Sequence, residues 1–497
     1  MNYKITLFTK RGSDAIFAKE GESLLSVLAS VGIPINADCG GNGTCDKCKI
    51  FARGTFKDPY GDVPQKTELL ACRAYPAGNC SVYLDVSLKK PSLKRIYKSS
   101  FDGDYLGVAI DVGTTGICAE LLDMKTGEKL SEISEKNAQA PYGADIMSRL
   151  SNDSEKLSEI LIAQLNSMIT SLCPKKSKIS KISISANTVM SHYIKNLPTK
   201  SLNSFPFSVA DSFGKCFTAE ELKINCKNAT VYIAPCLGAF VGGDIAAGIY
   251  TTRLDKCKVP SLLIDIGTNG EMALSKNGRI YVASAAAGPA FEGAELSCGM
   301  QASKGAVCGF DGNRFITIGK KKPCGISGSG AIDILAQLLS VGAIDEGGRL
   351  LPPEESPLPP SMLSVVNNEV RFNISDTVYL SASDVRKLQL AKAAIRATLH
   401  TLLEKSDTDE QEIGAVFLAG AFGSNIKIEN AARIGLIPRS LLLKCTPCGN
   451  TSLKGATLAL LSKRHERAVT GIKDICTHIE LSDDPYFEER FLGYISM

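Results

Sequence analysis

The chain has 497 residues, of which 44% are hydrophobic and 22% charged, and its formal net charge is +4 at pH 7. This length predicts several domains of ordinary globular composition, and a nearly neutral chain without a Lys/Arg cluster argues against nucleic-acid binding. Because no stretch reaches 18 apolar residues and the N-terminus lacks the apolar core of a signal peptide, we expect no membrane contact and a cytoplasmic location.

The first 86 residues predict a small mixed sheet that packs against one short helix. The segment "YKITLF" alternates like a strand, with Ile5 and Leu7 on one face. A second strand, a turn and an amphipathic helix follow, and "CKIFARG" and "SVYLDVSL" predict further strands. The apolar stripe expected on the helix consists of Leu24, Leu25, Leu28 and Val31.

Four cysteines in this part of the chain have the spacing of an iron–sulfur site: Cys39-x5-Cys45-x2-Cys48, followed by Cys72. Iron–sulfur clusters need thiolates from a loop that wraps the cluster, with one distant fourth ligand. A zinc site usually has two C-x2-C pairs or a histidine, and no second pair lies nearby. Buried free cysteines would not explain the spacing. The pattern therefore favours a 2Fe-2S cluster.

The glycines of the same loop, Gly40, Gly41 and Gly43, let the backbone bend tightly around the sulfur atoms. The segment resembles the β-grasp ferredoxins, with the adrenodoxin-like spacing of five residues rather than the plant-type spacing of four. Cys80 falls outside this pattern and is interpreted as a bystander. Residues 87–104 are polar and basic without periodicity, which predicts a linker.

Two later segments, "GVAIDVGTTGICAELL" and "SLLIDIGTNGEMALS", repeat one pattern. Each has an apolar run that ends at an aspartate, Asp111 or Asp265, followed by a Gly-Thr turn and a second strand. Such an internal repeat predicts two related halves. The loop residues expected to bind nucleotide are Gly113, Thr114 and Thr115 in the first copy and Gly267, Thr268 and Asn269 in the second.

The chemistry of each loop is that of a phosphate site. Backbone N–H groups and threonine hydroxyls of such a turn face an anion, and the aspartate can hold a hydrated Mg²⁺ ion between phosphates. Two ordinary hairpins with glycine turns are the alternative, which the shared residue order makes less attractive. No G-x-x-x-x-G-K-[ST] run occurs, so the P-loop class is excluded.

A third glycine-rich element, "AVFLAGAFGSNIKIENA" at 415–431, predicts a strand that meets Gly420 and Gly423 before a helix near Ser424. A glycine-rich turn of this kind allows close approach by a purine or ribose. After the two aspartate loops, it resembles the adenosine motif of the actin, Hsp70 and sugar-kinase superfamily. That resemblance implies two lobes with ribonuclease-H-like sheets and ATP in the cleft.

Three further sites are expected at this cleft. In sugar kinases of the superfamily a Gly-Asp pair supplies the catalytic base, and by resemblance Asp244 in "VGGDIAAGI" positions the attacking water. Helix N-capping is an equally good interpretation of Asp244. The segments "AAAGPAFEGAELSCGM" and "KPCGISGSGAIDILAQLL", which contain Gly288 and Gly328, are expected to line the cleft. The second predicts a loop that leads into a helix N-terminus, where anion binding and simple capping are both possible.

Two remaining features complete the scaffold. The segment "LSASDVRKLQLAKAAIRATLHTLLEK" predicts a long helix capped by Ser381 with Asp384 three residues later. Cys445 and Cys448 form an isolated C-x2-C pair without evident partners, and we interpret them as free thiols. The buried stripe expected on the helix consists of Val385, Leu388, Ala391, Ile395, Leu399 and Leu402.

Across the whole chain, "ANTVMSH", "APCLGAFVGGDIAAG", "IDIGTNGEM", "GPAFEGAELSCGM" and "LQLAKAAIRA" together resemble the reductive activators of corrinoid proteins. The resemblance implies a β-grasp ferredoxin domain (1–86, α+β), a linker (87–104) and an actin-like α/β ATPase (105–497) with lobes at about 105–250 and 255–497. Longer members carry an extra domain where this chain has only the linker. Oligomeric state is therefore left open, with a homodimer as one option.

The same resemblance implies a function and its cofactors. Members of the family use ATP to reduce cob(II)alamin to cob(I)alamin in the corrinoid protein of a methyltransferase system. The expected cofactors are a 2Fe-2S cluster, ATP and Mg²⁺, and an upstream low-potential electron donor is required. Two alternatives remain: a small-molecule kinase whose ferredoxin senses redox state, and an electron-transfer adaptor that binds ATP without hydrolysing it.

Overall fold

The protein divides into two compact units, Met1–Arg95 and Ile96–Met497, and each is described by itself. No helix in the ranges given below is long and apolar enough to cross a membrane. The predicted linker, residues 87–104, lies wholly outside the described ranges. The structure, a computed structural model, describes residues 2–9, 12–30, 48–58, 61–62, 68–83, 105–143, 145–293, 295–312, 314–423 and 426–497.

The first unit is a mixed sheet with one helix, as predicted. Its strand order is β2-β1-β6-β3-β4, with β5 paired to β3; β1 and β6 run parallel and the other pairs are antiparallel. Ile5 and Leu7 both point into its core, as the alternation predicted. Its elements are β1 Asn2–Thr9, β2 Gly12–Lys19, α1 Leu24–Ser30, β3 Lys49–Asp58, β4 Gly61–Asp62, β5 Glu68–Leu70 and β6 Tyr75–Tyr83.

The buried stripe of α1 differs in part from the prediction. Leu24 and Leu28 are buried, but the third core residue is Val27, and Leu25 is only half-buried. The reason is helical geometry, since positions 24, 27 and 28 lie on one face at i, i+3 and i+4. Val31 lies outside the described residues.

The second unit begins with a sheet of order β11-β12-β10-β7-β8-β9. Strands β7, β8 and β9 form an antiparallel meander, and β10 and β12 are added to β7 in parallel. Helices α3 and α4 pack together over this sheet and bury its apolar side. The elements are β7 Leu106–Val112, β8 Gly116–Asp123, β9 Lys129–Lys136, α2 Ile146–Leu150, α3 Ser154–Leu172, β10 Ile179–Ala186, α4 Thr188–Lys195, β11 Lys215–Thr218, β12 Thr230–Ile233 and α5 Gly243–Thr252.

The next part repeats this arrangement in a sheet of order β23-β22-β13-β14-β15-β24. Strands β13, β14 and β15 form the meander, and β22 and β23 are added to β13 in parallel. The sequence repeat thus corresponds to two sheets with the same local topology, which confirms the predicted two-lobed fold. The elements up to α7 are β13 Ser261–Ile266, β14 Gly270–Lys276, β15 Arg279–Ala285, β16 Ala306–Phe310, β17 Phe315–Thr317, β18 Gly325–Ile326, α6 Gly328–Ser340, β19 Leu363–Val366, β20 Glu369–Asn373, β21 Tyr379–Ser381 and α7 Ala382–Lys405.

The remaining elements complete the second sheet and connect the lobes. The predicted cap of α7 is confirmed: Ser381 and Asp384 form a capping box, and all six residues of the expected stripe are buried. The elements are β22 Ala415–Ala419, α8 Gly420–Gly423, α9 Ile428–Arg433, β23 Cys445–Gly449, α10 Thr451–Leu461, α11 Lys463–Thr470, β24 Cys476–His478 and α12 Phe487–Gly493.

Helix α10 does not stay with the second lobe, to which the division at about 255 assigned it. It packs on β7 and β10 of the first sheet and against α5. The contact with α5 is close, because a side chain on Gly455 would lie 2.4 Å from the Cβ atom of Ala247. The chain then returns to the second sheet, where β24 pairs with β15. The two lobes are therefore joined by a pair of closely packed helices.

Candidate functional site

The three predicted aspartates are half-buried and lie close together in one cluster. Asp111 is the penultimate residue of β7 and Asp265 the penultimate residue of β13, so both lie at strand ends that face the cleft. Asp244 lies in the first turn of α5, where its Oδ1 atom accepts a hydrogen bond from the N–H of Ile245 at 2.8 Å. The alternative of an N-cap is wrong, because Gly242 occupies the cap position.

Burial and mutual repulsion raise the pKa of these carboxyl groups. Burial raises the pKa of Asp265 to about 8, with smaller contributions from neighbouring carboxylates that include Asp244 and Asp111. Burial likewise raises the pKa of Asp244 to about 7, and the charge of Asp111 adds to the effect. Like charges close together in low dielectric disfavour ionisation. A cation bound among them would reverse these shifts.

Two further acids, Glu271 and Glu292, complete the cluster and were not identified from the sequence. Glu271 follows Gly270 in β14, directly opposite Asp265 in the antiparallel register. Burial holds its pKa well above the ordinary value, and the charges of Asp244 and Asp265 raise it further. Among the described residues, no Lys, Arg or His lies within 4.0 Å of the five carboxyl groups. An oxygen-rich site without a counterion fits a hydrated Mg²⁺ ion.

The two predicted phosphate loops contact each other through their threonines. The Oγ1 atoms of Thr115 and Thr268 lie 2.9 Å apart. Both hydroxyls donate to the same oxygen of Glu292, at 2.5 Å from Thr115 and 3.1 Å from Thr268. Because the loops belong to different sheets, this three-residue contact lies where the lobes meet. Burial raises the pKa of Glu292, and the threonine hydrogen bonds oppose that shift.

Asp111 is held by residues from the far end of the chain. Asn450, the N-cap of α10, donates from Nδ2 to Oδ2 of Asp111 at 2.7 Å. Ser452 donates from Oγ to Oδ1 at 2.6 Å, and its hydroxyl lies 3.0 Å from that of Ser185. Burial raises the pKa of Asp111, and these two hydrogen bonds lower it. Helix α10 therefore fixes the position of Asp111 and opposes the effect of burial on its pKa.

Two asparagines support the first loop. Asn137 donates from Nδ2 to the carbonyl of Gly113 at 2.9 Å, and its backbone N–H donates to the carbonyl of Thr115 at 3.0 Å. Asn187, the N-cap of α4, donates to Oγ1 of Thr114 at 3.0 Å. The loop is thus fixed before any ligand binds, which lowers the entropic cost of ligand binding.

The third glycine-rich element contacts Asp265 directly. Gly420 has φ +81° and begins α8, so the helix starts there rather than near Ser424, which lies outside the described residues. A Cβ atom on Gly420 would lie 2.4 Å from Oδ1 of Asp265, so only glycine fits. Gly423 ends the same short helix and is buried.

The other two predicted glycines border the cluster. Gly288 has φ +73° and precedes the 3-10 turn Pro289–Glu292. Gly328 is the first residue of α6, after the N-cap Ser327, and a Cβ atom there would lie 1.7 Å from the carbonyl oxygen of Phe291. Both glycines thus flank the turn that ends in Glu292. The predicted loop and helix N-terminus are confirmed, and Ser327 caps the helix by accepting from the N–H of Gly330 at 3.3 Å.

In the first unit, two of the four predicted cluster ligands are described. The Sγ atoms of Cys48 and Cys72 are buried and lie 3.3 Å apart, a separation suited to two thiolates on one metal centre. Cys39 and Cys45 lie outside the described residues. Cys80 is a core residue below Gly54, whose added Cβ atom would lie 2.6 Å from that of Cys80. Burial raises the pKa of the Cys80 thiol to about 11, which does not favour a thiolate ligand.

The isolated pair Cys445 and Cys448 lies on β23. Both are free cysteines, and each thiol donates to a nearby carbonyl, Leu441 for Cys445 and Thr446 for Cys448. Burial raises the pKa of Cys445 to about 11. A protonated thiol is a poor metal ligand and nucleophile, which fits the interpretation as free thiols.

Comparison with protein-family models divides the chain into three matches. Residues 8–77 match the 2Fe-2S iron-sulfur cluster binding domain, residues 106–257 the RACo middle region, and residues 259–497 the C-terminal domain of RACo, the ASKHA domain.

Two curated proteins are similar over most of their length. The corrinoid activation enzyme RamQ of Eubacterium limosum is 31% identical, and the alignment covers 95% of each chain. The methylated amine-specific corrinoid protein Co(II) reductase of Methanosarcina barkeri is 26% identical over 78% of this chain and 76% of its own. Among solved structures, a reductive activator for a corrinoid, iron-sulfur protein is 27% identical with a TM-score of 0.73, over 100% of this chain and 98% of its own.

Proposed function

Because the chain belongs to the family of reductive activators of corrinoid proteins, we propose that it uses ATP to reduce the cobalt of a corrinoid protein from cob(II) to cob(I). The corrinoid protein, of a methyltransferase system, is the macromolecular substrate. An upstream low-potential donor supplies the electron.

The first unit is the electron entry site of this reaction. Cys48 and Cys72, whose sulfur atoms already lie side by side, would hold a 2Fe-2S cluster together with Cys39 and Cys45. The bound cluster supplies a one-electron carrier. The chain's own contribution is the thiol pair of Cys48 and Cys72, whose burial keeps water away from two of the sulfur atoms.

The second unit hydrolyses ATP. In our proposal Asp111 and Asp265 hold Mg²⁺, and Asp244, with a pKa of about 7, accepts a proton from the attacking water. Thr115 and Thr268 bind phosphate oxygens from the two lobes. The other residues proposed to contact the nucleotide are Gly113, Thr114, Gly267, Asn269, Gly288, Gly328, Gly420 and Gly423.

The facing threonines explain how hydrolysis drives an uphill electron transfer. A nucleotide held by both loops favours one arrangement of the lobes, and its loss favours another. Moving such an equilibrium from 1:99 to 99:1 takes about 5.5 kcal/mol, or roughly 240 mV for one electron. Transmitted to the bound corrinoid protein, this amount raises the cobalt potential by roughly 240 mV, which makes electron transfer from the cluster more favourable.

A single observation carries the proposal: one chain combines a buried thiol pair for electron entry with two phosphate loops that share Glu292. A metabolite kinase has no need of the first feature, and a simple electron carrier has no need of the second.

The test is anoxic reduction of a purified cob(II) corrinoid protein by the full-length chain with excess low-potential reductant, followed by the visible absorption of cob(I). We expect stoichiometric cob(I) with Mg·ATP and almost none with a non-hydrolysable analogue. Addition of the cob(II) protein should also accelerate ATP hydrolysis, since binding effects are reciprocal. Equal cob(I) formation without nucleotide would refute the coupling, and phosphorylation of a small molecule instead would favour the redox-sensing kinase.

A further inference from the structure

One buried cation beside the phosphate loops has only neutral hydrogen-bond acceptors. Arg149, on the short helix α2, is only 1% exposed. Its Nε atom donates to the carbonyl of Gly143 at 3.0 Å, and Nη1 donates to Oε1 of Gln139 at 3.3 Å. Both acceptors are neutral, and in the described part of the chain no carboxylate lies within 4.0 Å of the guanidinium.

Without an anion nearby, burial of this guanidinium lowers the free energy of unfolding. A buried charge loses its hydration, and neutral acceptors that satisfy two of five N–H groups do not replace it. Burial accordingly lowers the pKa of Arg149 to about 10. Lys181, another buried cation, does have a counterion, since its Nζ atom lies 2.6 Å from Oε2 of Glu466. A buried guanidinium that donates only to neutral acceptors thus indicates a binding position for an anion that is not part of the chain.

The position of Arg149 identifies which anion. Gln139, its acceptor, donates its own N–H to Oδ1 of Asn137 at 2.9 Å, and Asn137 holds Gly113 in the first phosphate loop. Arg149 is therefore linked to that loop through only two side chains. Its charge also interacts with Asp145 and, more weakly, with Glu292, which accepts from both loop threonines. The anion belongs at the meeting point of the two loops.

We propose that Arg149 binds the terminal phosphate of the nucleotide, reaching it from the first lobe. The inference rests on the proposed use of ATP and adds a specificity-determining residue to it. Arg149 pairs with a phosphate that ATP has and ADP lacks. The chain therefore distinguishes the two nucleotides because only ATP provides an anion for this buried guanidinium, whose other acceptors are neutral. Hydrogen bonds between charged groups are about twice as strong as neutral ones, and the planar guanidinium suits two phosphate oxygens.

The experiment compares Arg149→Met and Arg149→Lys with wild type in the full-length protein, by calorimetric titration with Mg·ATP and Mg·ADP. Arg149→Met should weaken ATP binding about 10- to 100-fold, the range of a charged hydrogen bond, and leave ADP binding within about twofold. The ATP affinity of Arg149→Lys should lie between those of wild type and Arg149→Met, since lysine keeps the charge but lacks the planar guanidinium that binds two oxygens. The matched control Lys181→Met removes a buried, paired cation away from the loops and should keep the wild-type ratio of ATP to ADP affinity.

Thermal unfolding without nucleotide supplies a second measurement. Arg149→Met should melt at or above the wild-type temperature, because it removes an uncompensated charge, whereas Lys181→Met should melt lower because it strands Glu466. An unchanged ATP-to-ADP ratio in both Arg149 variants would overturn the proposal, as would equal losses for the two nucleotides. Wild-type protein that bound neither nucleotide would overturn the proposed function together with it, whereas the first two results leave that function standing.

Discussion

The substitution Ser452→Ala removes one hydroxyl and should impair the function of Asp111, although the two residues are more than three hundred positions apart in sequence. The Oγ atom of Ser452 donates to Oδ1 of Asp111 at 2.6 Å, and Asn450 supplies the only other side-chain hydrogen bond found for this carboxyl in the described residues. Burial raises the pKa of Asp111 and these bonds lower it, so the substitution raises it further. A hydrogen bond to a charged group contributes about 1.5 to 3 kcal/mol, which corresponds to about a 10- to 150-fold fall in kcat/KM for ATP where Asp111 must be ionised.

The assay is the pH dependence of ATP hydrolysis by the full-length protein. Because the protonated form of Asp111 is the inactive one, a higher pKa moves the acidic limb of the profile to higher pH, and alkaline pH should restore part of the activity. A simple structural defect would lower the rate at every pH by the same factor.

The neighbouring residue offers a matched control. Thr451 is buried on the same helix, and its hydroxyl has no hydrogen-bond partner in the described part of the chain. Thr451→Val keeps the shape and removes an unsatisfied group, so stability should stay the same or rise. An acidic limb that moved equally in both variants, or in neither, would refute the role assigned to Ser452.

Three further predictions follow from the same geometry. Asp265→Asn should keep the cluster spectrum and lose most ATP hydrolysis. Because the pKa of Asp265 in the folded protein is about 8, the stability of the wild type falls as the pH rises from about 4 to about 8. Without nucleotide the variant should therefore melt at a higher temperature than wild type at pH 8, and equal melting temperatures there would contradict this. Cys45→Ser should lose the native visible spectrum but still bind nucleotide in a calorimetric titration, whereas Cys80→Ala should keep the spectrum; full absorbance in Cys45→Ser would disprove the ligand assignment. Gly420→Ala should abolish ATP hydrolysis with the cluster intact, because its Cβ atom would lie 2.4 Å from Asp265 and φ is +81°; a normal turnover number would show that the loop can relax.

The sequence was sufficient for features that repeat or alternate. The two aspartate loops were found because the same residue order occurs twice, and the two sheets do share one topology. The capping box at Ser381 and Asp384 was equally readable, since its partners lie three residues apart. Local patterns of this kind are set by interactions between near neighbours, which a sequence displays directly.

The remaining site residues depend on contacts between distant segments. Asn450 and Ser452 reach Asp111 only because α10 returns to the first sheet, and nothing near either residue indicates that path. Glu271 had a weak signal, because it follows the second loop at the position where the first copy has Ile117. Arg149 had none, since an arginine on a short helix is ordinarily exposed.

Because α5 and α10 pack closely together, the arrangement of the acid cluster depends on the angle between the lobes. At Gly455 and Ala247 the two helices touch almost backbone to backbone. One helix carries Asp244 in its first turn, and the other holds Asp111 through its N-cap. A small rotation at this glycine therefore moves two of the acids together, and a larger side chain there, as in Gly455→Leu, would push the helices apart and change the distance between Asp244 and Asp111.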